Sequence, residues 1–525
     1  MGLFSNPELM RNARSQLRWG RLMAVAAMCA VLSFVTGYSL AHEAIPGRDG
    51  AWGMQLLQIA LGAQAVVLLF GGCVACVNAI HREKEMNTFD FQRVTRLTPL
   101  ELTLGKLFGA PVLVYFVVLC LMPAALVGAV AGGARPTFVL AAYVVLLLGS
   151  IALHALSLVL SLLHQRGSTT GTSLVVIILA WMIIVAGSSP EFSARYLFEL
   201  GSTSPFIAVH IVDNTTWQMV PPPSGVSLPR DEIVHADVFF GLPLHHIVVL
   251  LILYLSFTAW LLLPVVRNIK RDPSVYELYT PAQALGLVFY INLLMLGFFR
   301  WRNLGAKGAE FLTPHQAQTM FLSINLGLFL VLGMLLLRNR DQLRRRLREL
   351  GDAASSRLAA TWPSPYLLGG MLLLGAATMG LVQWMRPAGA EWDVKLAAFR
   401  LLVMTLWLVR DLLYFQWINL TRIRRPLTMG FLYLLVFYVS TTILFVTFDL
   451  YDTPRGQAVT AIFAPAPAFV LTAKDWTDQR SLWILALLCQ VLVAGFLAFL
   501  QRQKLQELAP HPAAPAAEAP VPTTG

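Results

Sequence analysis

Twelve apolar runs of roughly membrane-spanning length are the feature that most limits what this 525-residue chain can become. They lie near 22–40, 55–80, 107–130, 138–163, 172–188, 246–266, 282–299, 317–337, 365–384, 395–416, 428–448 and 482–501. Hydrophobic residues make up 57% of the chain and charged residues 13%, too apolar a balance for a water-soluble domain. The expected fold class is an all-α polytopic membrane protein, because only helices satisfy their own backbone within such runs. The run at 172–188 is short, and that at 395–416 holds Arg400, Arg410 and Asp411.

Basic residues give an orientation. With both termini inside, the inner segments hold 25 Lys and Arg and the outer ones 12, the asymmetry expected of cytoplasmic loops. The outer stretch 300–316, with Arg300, Arg302 and Lys307, runs against the trend. A formal charge of +11 then reads as an anchor for an anionic inner leaflet and not as a nucleic-acid surface. No cleavable signal peptide is expected. The five cysteines all fall within apolar runs, so Cys73-x-x-Cys76 reads as small apolar packing before a redox or metal pair.

Between the second and third runs lies the long polar insert HREKEMNTFDFQRVTRLTPLELTLGKLFGAP, residues 81–111. Its spacing predicts a short amphipathic helix over Asn87–Leu97, with Asn87 or Thr88 as N-cap and Asp90 in the first turn. Thr98-Pro99-Leu100-Glu101 predicts a restart, with Thr98 as cap, Pro99 at the first helical position and Glu101 closing a capping box. At the N-terminus, Asn6-Pro7-Glu8 predicts another helix start. There Arg11, Arg14, Arg18 and Arg21 share one face, and the helix should lie flat in the inner headgroups and turn at Gly20 into the first span.

Together, the acidic-basic cluster, the Thr that opens a short helix, the TPL-E restart and the LGKL-GA run resemble the cytoplasmic segment of ABC-2-type ABC transporter permeases. The NPELMRNARSQLR run is similar to the elbow helix that opens members of that family. Asn87 stands where the family usually has Gly, and the downstream half shows the pattern only faintly. The resemblance implies the membrane subunit of an ATP-driven exporter in the cell inner membrane, coupled to a separate cytoplasmic ABC ATPase subunit that carries ATP and magnesium. It implies an ATPase-coupling segment with Glu83, Glu85, Asn87, Thr88, Asp90, Arg93, Thr98, Pro99, Glu101 and Lys106, and an elbow with Arg11, Arg14 and Arg18.

The two halves of the chain also echo one another in charged turns and Pro-marked re-entries. Expected domains are an elbow at 1–21, a six-span bundle at 22–272 with coupling segment 81–106 and outer loop 189–244, a more divergent six-span bundle at 273–508, and a disordered Pro/Ala tail at 509–525. Six spans per half give two parallel six-helix repeats. Arg338 to Arg348 form a basic amphipathic stretch suited either to docking or to anionic lipid. Arg410 and Asp411, adjacent on a helix, are expected to point about 100° apart and not to neutralise each other. His154 is expected to be a hydrogen-bonded packing residue.

No phosphate-binding Gly-x-x-x-x-Gly-Lys-Ser/Thr loop, His-Glu-x-x-His or Gly-x-Ser-x-Gly motif occurs, so the chain is not expected to be an enzyme or to bind a cofactor or metal itself. Expected partners are the ATPase, membrane lipids and, optionally, further membrane subunits. An ion-coupled secondary transporter or a membrane scaffold are the alternatives, and the apolar spans fit lipid, drug, peptide or polysaccharide alike.

Overall fold

The computed structural model describes residues 6–42, 51–163, 205, 208–212, 236–240, 242–272, 276–299, 313–337, 343, 364–386, 392–421, 423, 426–450, 453–464, 471, 476 and 478–508. Outside these lie the expected span at 172–188, most of the 189–244 loop, the 300–312 stretch, the basic run at 338–349 apart from Leu343, and the C-terminal tail. The turns at 164–166 and 422–425 also fall outside, except for Ile423.

The described chain is helical apart from one antiparallel hairpin ahead of the helix that starts at His246, β1 (Ala236–Phe239) and β2 (Leu242–His245), with Phe239 opposite Leu242. In order, the helices are α1 (Pro7–Gln16), α2 (Trp19–His42), α3 (Ala51–Val66), a π turn (Val67–Gly71), α4 (Gly72–Glu85), α5 (Phe89–Arg93), α6 (Pro99–Gly109), α7 (Val112–Ala131), α8 (Pro136–Leu163), α9 (Ala208–Ile211) and α10 (His246–Asn268). They continue as α11 (Pro281–Phe298), α12 (Pro314–Leu336), α13 (Ser364–Met385), α14 (Val394–Leu420), α15 (Pro426–Thr447), α16 (Pro454–Thr460) and α17 (Arg480–Leu508).

Nine described helices are long and apolar enough to cross a membrane, so this is a multi-pass membrane protein. Two further expected spans correspond to α14, which is not among these nine, and to α15, of which Leu432–Thr447 forms a shorter apolar stretch. Contacts divide the chain into two units. One comprises 1–278 with 295–300, the other 279–294 with 301–525.

In the first unit, α3 and α7 approach at backbone distance. A Cβ on Gly53 would stand 2.3 Å from the Gly132 nitrogen, and one on Gly128 2.6 Å from the Leu57 nitrogen. Glycines permit this approach, the usual device where lipid gives helices no hydrophobic reason to associate. Leu57, Leu61, Leu69, Val145, Leu146 and Leu250 fill the core beside that seam. The π turn sits against His154, whose Nε2 donates to the Leu68 carbonyl at 3.0 Å while Nδ1 accepts from the Tyr115 hydroxyl at 3.3 Å. His154 is thus a hydrogen-bonded packing residue, and Gly72 makes room for its ring, since a Cβ there would overlap Nε2 at 2.0 Å.

The second unit is organised about α14. Met404, Trp407, Leu408 and Phe415 are buried, and α12, α13, α15 and α17 all pack against this helix. Two of its charges, Arg410 and Asp411, satisfy each other, contrary to the expectation from helix geometry. Arg410 and Asp411 do pair: Arg410 Nε and Nη2 donate to Asp411 Oδ1 at 2.8 and 2.6 Å. Their Cα–Cβ bonds diverge, but the long arginine stem folds back across that angle. Tyr438 bonds both, Gln490 accepts from Arg410 at 3.2 Å, and the guanidinium lies 3.7 Å over the Trp407 ring. The pair is buried.

Candidate partner-docking hinge

The polar insert between α4 and α7 is a hinge whose frame is built by local sequence. Helix α4 ends in a Schellman motif, with the Thr88 N–H donating to the Glu83 carbonyl at 2.9 Å and the Asn87 N–H to that of Lys84 at 3.3 Å. The motif needs a left-handed residue, and Asn87 supplies it at φ 57°. Asn is the residue that tolerates this region best after Gly, so Asn87 can hold the turn without a glycine. Asn87 is therefore not an N-cap. Thr88 precedes α5 but makes no side-chain capping bond, and α5 spans only Phe89–Arg93, half the helix expected over 87–97. The helix starts after Thr88, within the expected bounds, and is lost at its C-terminal end, where Val94 caps it and the Thr95 N–H and hydroxyl both donate to the Gln92 carbonyl, at 3.2 and 2.7 Å.

The restart at Thr98 forms as its sequence dictates. Thr98 accepts from the Glu101 N–H, Glu101 accepts from the Thr98 N–H at 2.9 Å, and Pro99 is the first helical residue. Those Thr98 donors hold the exposed Glu101 carboxyl below the ordinary carboxylate range.

On α6 lies α1. Asn6 caps α1 by accepting from the Glu8 and Leu9 N–H groups, and its own amide donates to the Glu101 carbonyl at 2.6 Å. Gln16 donates to the Ala110 carbonyl at 3.1 Å. Between these ends, Gly105 and Gly109 make the flat strip on which α1 rests: a Cβ on Gly105 would meet Glu8 Cβ at 2.7 Å, and one on Gly109 would meet Asn12 Cβ at 3.1 Å. The chain turns at Leu17–Arg18, where α1 stops, and not at Gly20, which lies within α2 with open space around it.

Where α1, α4, α5 and α6 meet, four charges and an amide close on one another. Lys106 Nζ binds the Glu83 carboxylate and lies 3.3 Å from Glu8 Oε1. Arg11 Nη2 lies 2.6 Å from Glu83 Oε1 and 2.7 Å from Glu8 Oε1, and Gln92 of α5 donates to Glu83 at 2.6 Å. Formal charges cancel, as a cluster this buried requires. Arg11, expected among headgroups, reaches both carboxylates from the edge of the cluster with its side chain 52% exposed. Burial pulls its pKa down, but the Glu83 hydrogen bond and the two carboxylates more than offset this and raise it.

Thus the expected coupling residues divide into two sets. Glu83 and Lys106 are interior and hold the frame together. Glu85, Asn87, Thr88, Asp90, Thr98 and Pro99 face outward, with Glu85 3.2 Å from His81 and Asp90 2.8 Å from Arg93. Arg93 also reaches the Lys270 carbonyl at 3.4 Å and Asp272 at 3.9 Å, while Lys270 donates to the Thr95 carbonyl at 2.7 Å, tying the hinge to the segment after α10. Arg14 and Arg18 are exposed on the elbow.

Sequence reasoning missed Gln92, Lys84 and the 268–278 anchor. Lys84 donates to the Ser161 and Leu162 carbonyls and lies 5.9 Å over the rings of Phe89 and Tyr276. Burial pushes the Tyr276 phenol up to about 12. A signal was present: the buried face Cys73, Cys76, Ile80 runs on at helical spacing into Glu83 and Lys84. Also unforeseen is an apolar crown. Phe91 is 74% exposed and Val94 82%, with Met86 and Leu100 about half exposed beside them.

The cysteines are free, and no group of three or more metal-ligating side chains occurs among the described residues. Comparison of the chain with family models, with curated proteins and with solved structures returns no match.

Proposed function

We propose that this protein is the membrane subunit of an ATP-driven transporter, an ABC-2-type exporter-like permease with two parallel six-span bundles in one chain and both termini cytoplasmic. A separate ABC ATPase subunit would dock on the α4–α6 hinge and supply ATP hydrolysis. The observation that carries this reading is the hinge itself. Its frame is internally neutralised and clamped to α1 and to the segment after α10, yet it presents Phe91 and Val94 outward within a rim of Glu85, Asp90 and Arg96. Apolar anchors ringed by charge are how protein partners gain energy and register. A rigid mount lets a push at α5 reach α4 and α6, and through them the α3–α4 and α7 spans, without being lost in a flexible loop.

Phe91 and Val94 buried by a partner would contribute about 1.5–3 kcal/mol each. The double variant Phe91→Asp with Val94→Asp should therefore weaken ATPase association at least about a hundredfold while the chain still inserts and purifies. Quantitative mass spectrometry of proteins copurified from native membranes measures it. A Walker-type ATPase lost from the variant and present with the parent supports the reading. Equal recovery, no such ATPase with the parent, or labelling of a cysteine at Asn87 only from outside intact cells would refute it.

A further inference from the structure

In the second unit, α12 and α14 begin side by side. Gln318 donates to the Ala397 carbonyl at 2.8 Å, and the Asp393 N–H donates to His315 Nε2 at 3.2 Å. Two long helices thus bring their N-termini, each a partial positive charge, to one place. Arg400, nearly two turns into α14, adds a full charge. It is 3% exposed, and its contacts are neutral: Nη1 donates to the His315 carbonyl at 3.2 Å and Nη2 to the Leu471 carbonyl.

Three N–H donors here are buried without an acceptor. One is Arg400 Nε. The second is His315 Nδ1, which carries the ring proton because Nε2 accepts from Asp393. The third is Trp392 Nε1, on an indole that stacks against the His315 ring with centroids 4.9 Å apart and planes 24° apart. The nearby carboxylate, Asp393, is used as the cap of α14, accepting from the Lys395 N–H at 2.8 Å and the Leu396 N–H at 3.4 Å, and it makes no ion pair with Arg400. His315 and Trp392 are only partly buried, so this cluster lies near the surface of the second unit.

Orphaned donors around a buried guanidinium, at paired helix N-termini, form a recognition surface for an oxygen anion. We propose that Arg400, His315 and Trp392 form a phosphate-binding site, with the phosphate coming from a phospholipid headgroup or from solution. The planar guanidinium suits phosphate better than a lysine would, and the position at the helix starts puts the site at headgroup level. The site belongs to the second unit and does not depend on the docking hinge.

The test uses the full chain purified in a phosphate-free maltoside detergent, titrated separately with short-chain phosphatidylglycerol and with inorganic phosphate, and read by native mass spectrometry and thermal stability. The parent should bind one equivalent and gain stability. Arg400→Gln should weaken binding at least about tenfold, the loss expected for hydrogen bonds to a charged group. Trp392→Phe keeps the ring and removes one donor, and should weaken binding by a few-fold. Binding of the lipid alone assigns a headgroup site, and binding of both assigns a general phosphate site. The proposal is overturned if the parent binds neither, or if both variants bind as the parent does. Should Arg400→Gln fail to fold, Trp392→Phe decides by itself, and parent-like binding there overturns the assignment.

Discussion

Replacing Lys106 with Met probes the ion cluster directly. Lys106 is 1% exposed, and its ammonium faces Glu83 and Glu8, 7% and 5% exposed. The formal charges of Glu8, Glu83, Arg11 and Lys106 cancel, so Lys106→Met leaves one net negative charge sealed between α1, α4 and α6. Removing one partner of a buried pair costs about 3–5 kcal/mol. Arg11, whose side chain is 52% exposed, still faces both carboxylates and is screened by solvent, which places the expectation near the lower limit, about 3 kcal/mol. The double variant Glu83→Gln with Lys106→Met restores neutrality and should recover at least about 1 kcal/mol of that loss as a coupling energy. The assay is equilibrium unfolding in mixed micelles on rising dodecyl sulfate, paired with the rate of tryptic cleavage at Arg11 and Arg14, which reports release of α1. A loss under about 0.5 kcal/mol, the range of ordinary surface substitutions, with unchanged cleavage, would show that the cluster does not hold the elbow.

Asn87→Gly should leave thermal stability unchanged or slightly raised, whereas Asn87→Val, forced to φ 57°, should lose about 1–2 kcal/mol; equal melting of the two would refute the Schellman assignment. Gly105→Leu places carbon where Glu8 Cβ and Asn6 Oδ1 already lie 2.7 and 2.9 Å from a first added atom, so it should free α1 to trypsin without unfolding the spans; unchanged protection would show that α1 is not seated on this strip. Asp411→Asn strands the Arg410 cation in the second unit and should cost about 3–5 kcal/mol, much of it recovered by adding Arg410→Gln; detergent unfolding that is insensitive to the single change would refute a buried pair.

What was legible in the sequence was what a few neighbouring residues decide. The caps at Asn6 and Thr98 formed as written because each needs only its own first turn, and the apolar runs became long helices because lipid leaves the backbone no other choice. What failed needed knowledge of partners far along the chain. The 87–97 helix stopped at Arg93 because the Thr95 N–H and hydroxyl turn back onto the Gln92 carbonyl, a local side-chain competition that hydrophobic pattern does not rank. Arg410 and Asp411 were read as unable to pair because Cβ directions were considered without the reach of the arginine stem or the Tyr438 and Gln490 side chains that hold it. Glu83 and Lys106 looked like surface charges because the partners that bury them, Glu8 and Arg11, lie some seventy to a hundred positions away.

That misreading changes the logic of the hinge. If every charge of the insert were free, a partner would recognise it electrostatically and association would fall steeply with salt. With Glu83 and Lys106 consumed internally and Asp90 paired to Arg93, the outward charge of the insert is reduced to Arg82, Glu85 and Arg96, which set register, and most of the outward energy lies in Phe91 and Val94. Partner binding through these side chains should vary weakly with ionic strength and carry a negative heat-capacity change, the mark of apolar burial. Charge reversal at Asp90 would then alter approach more than affinity. Charge reversal at Glu83 would act by loosening α1 from α6, a loss visible in the isolated chain before any partner is added.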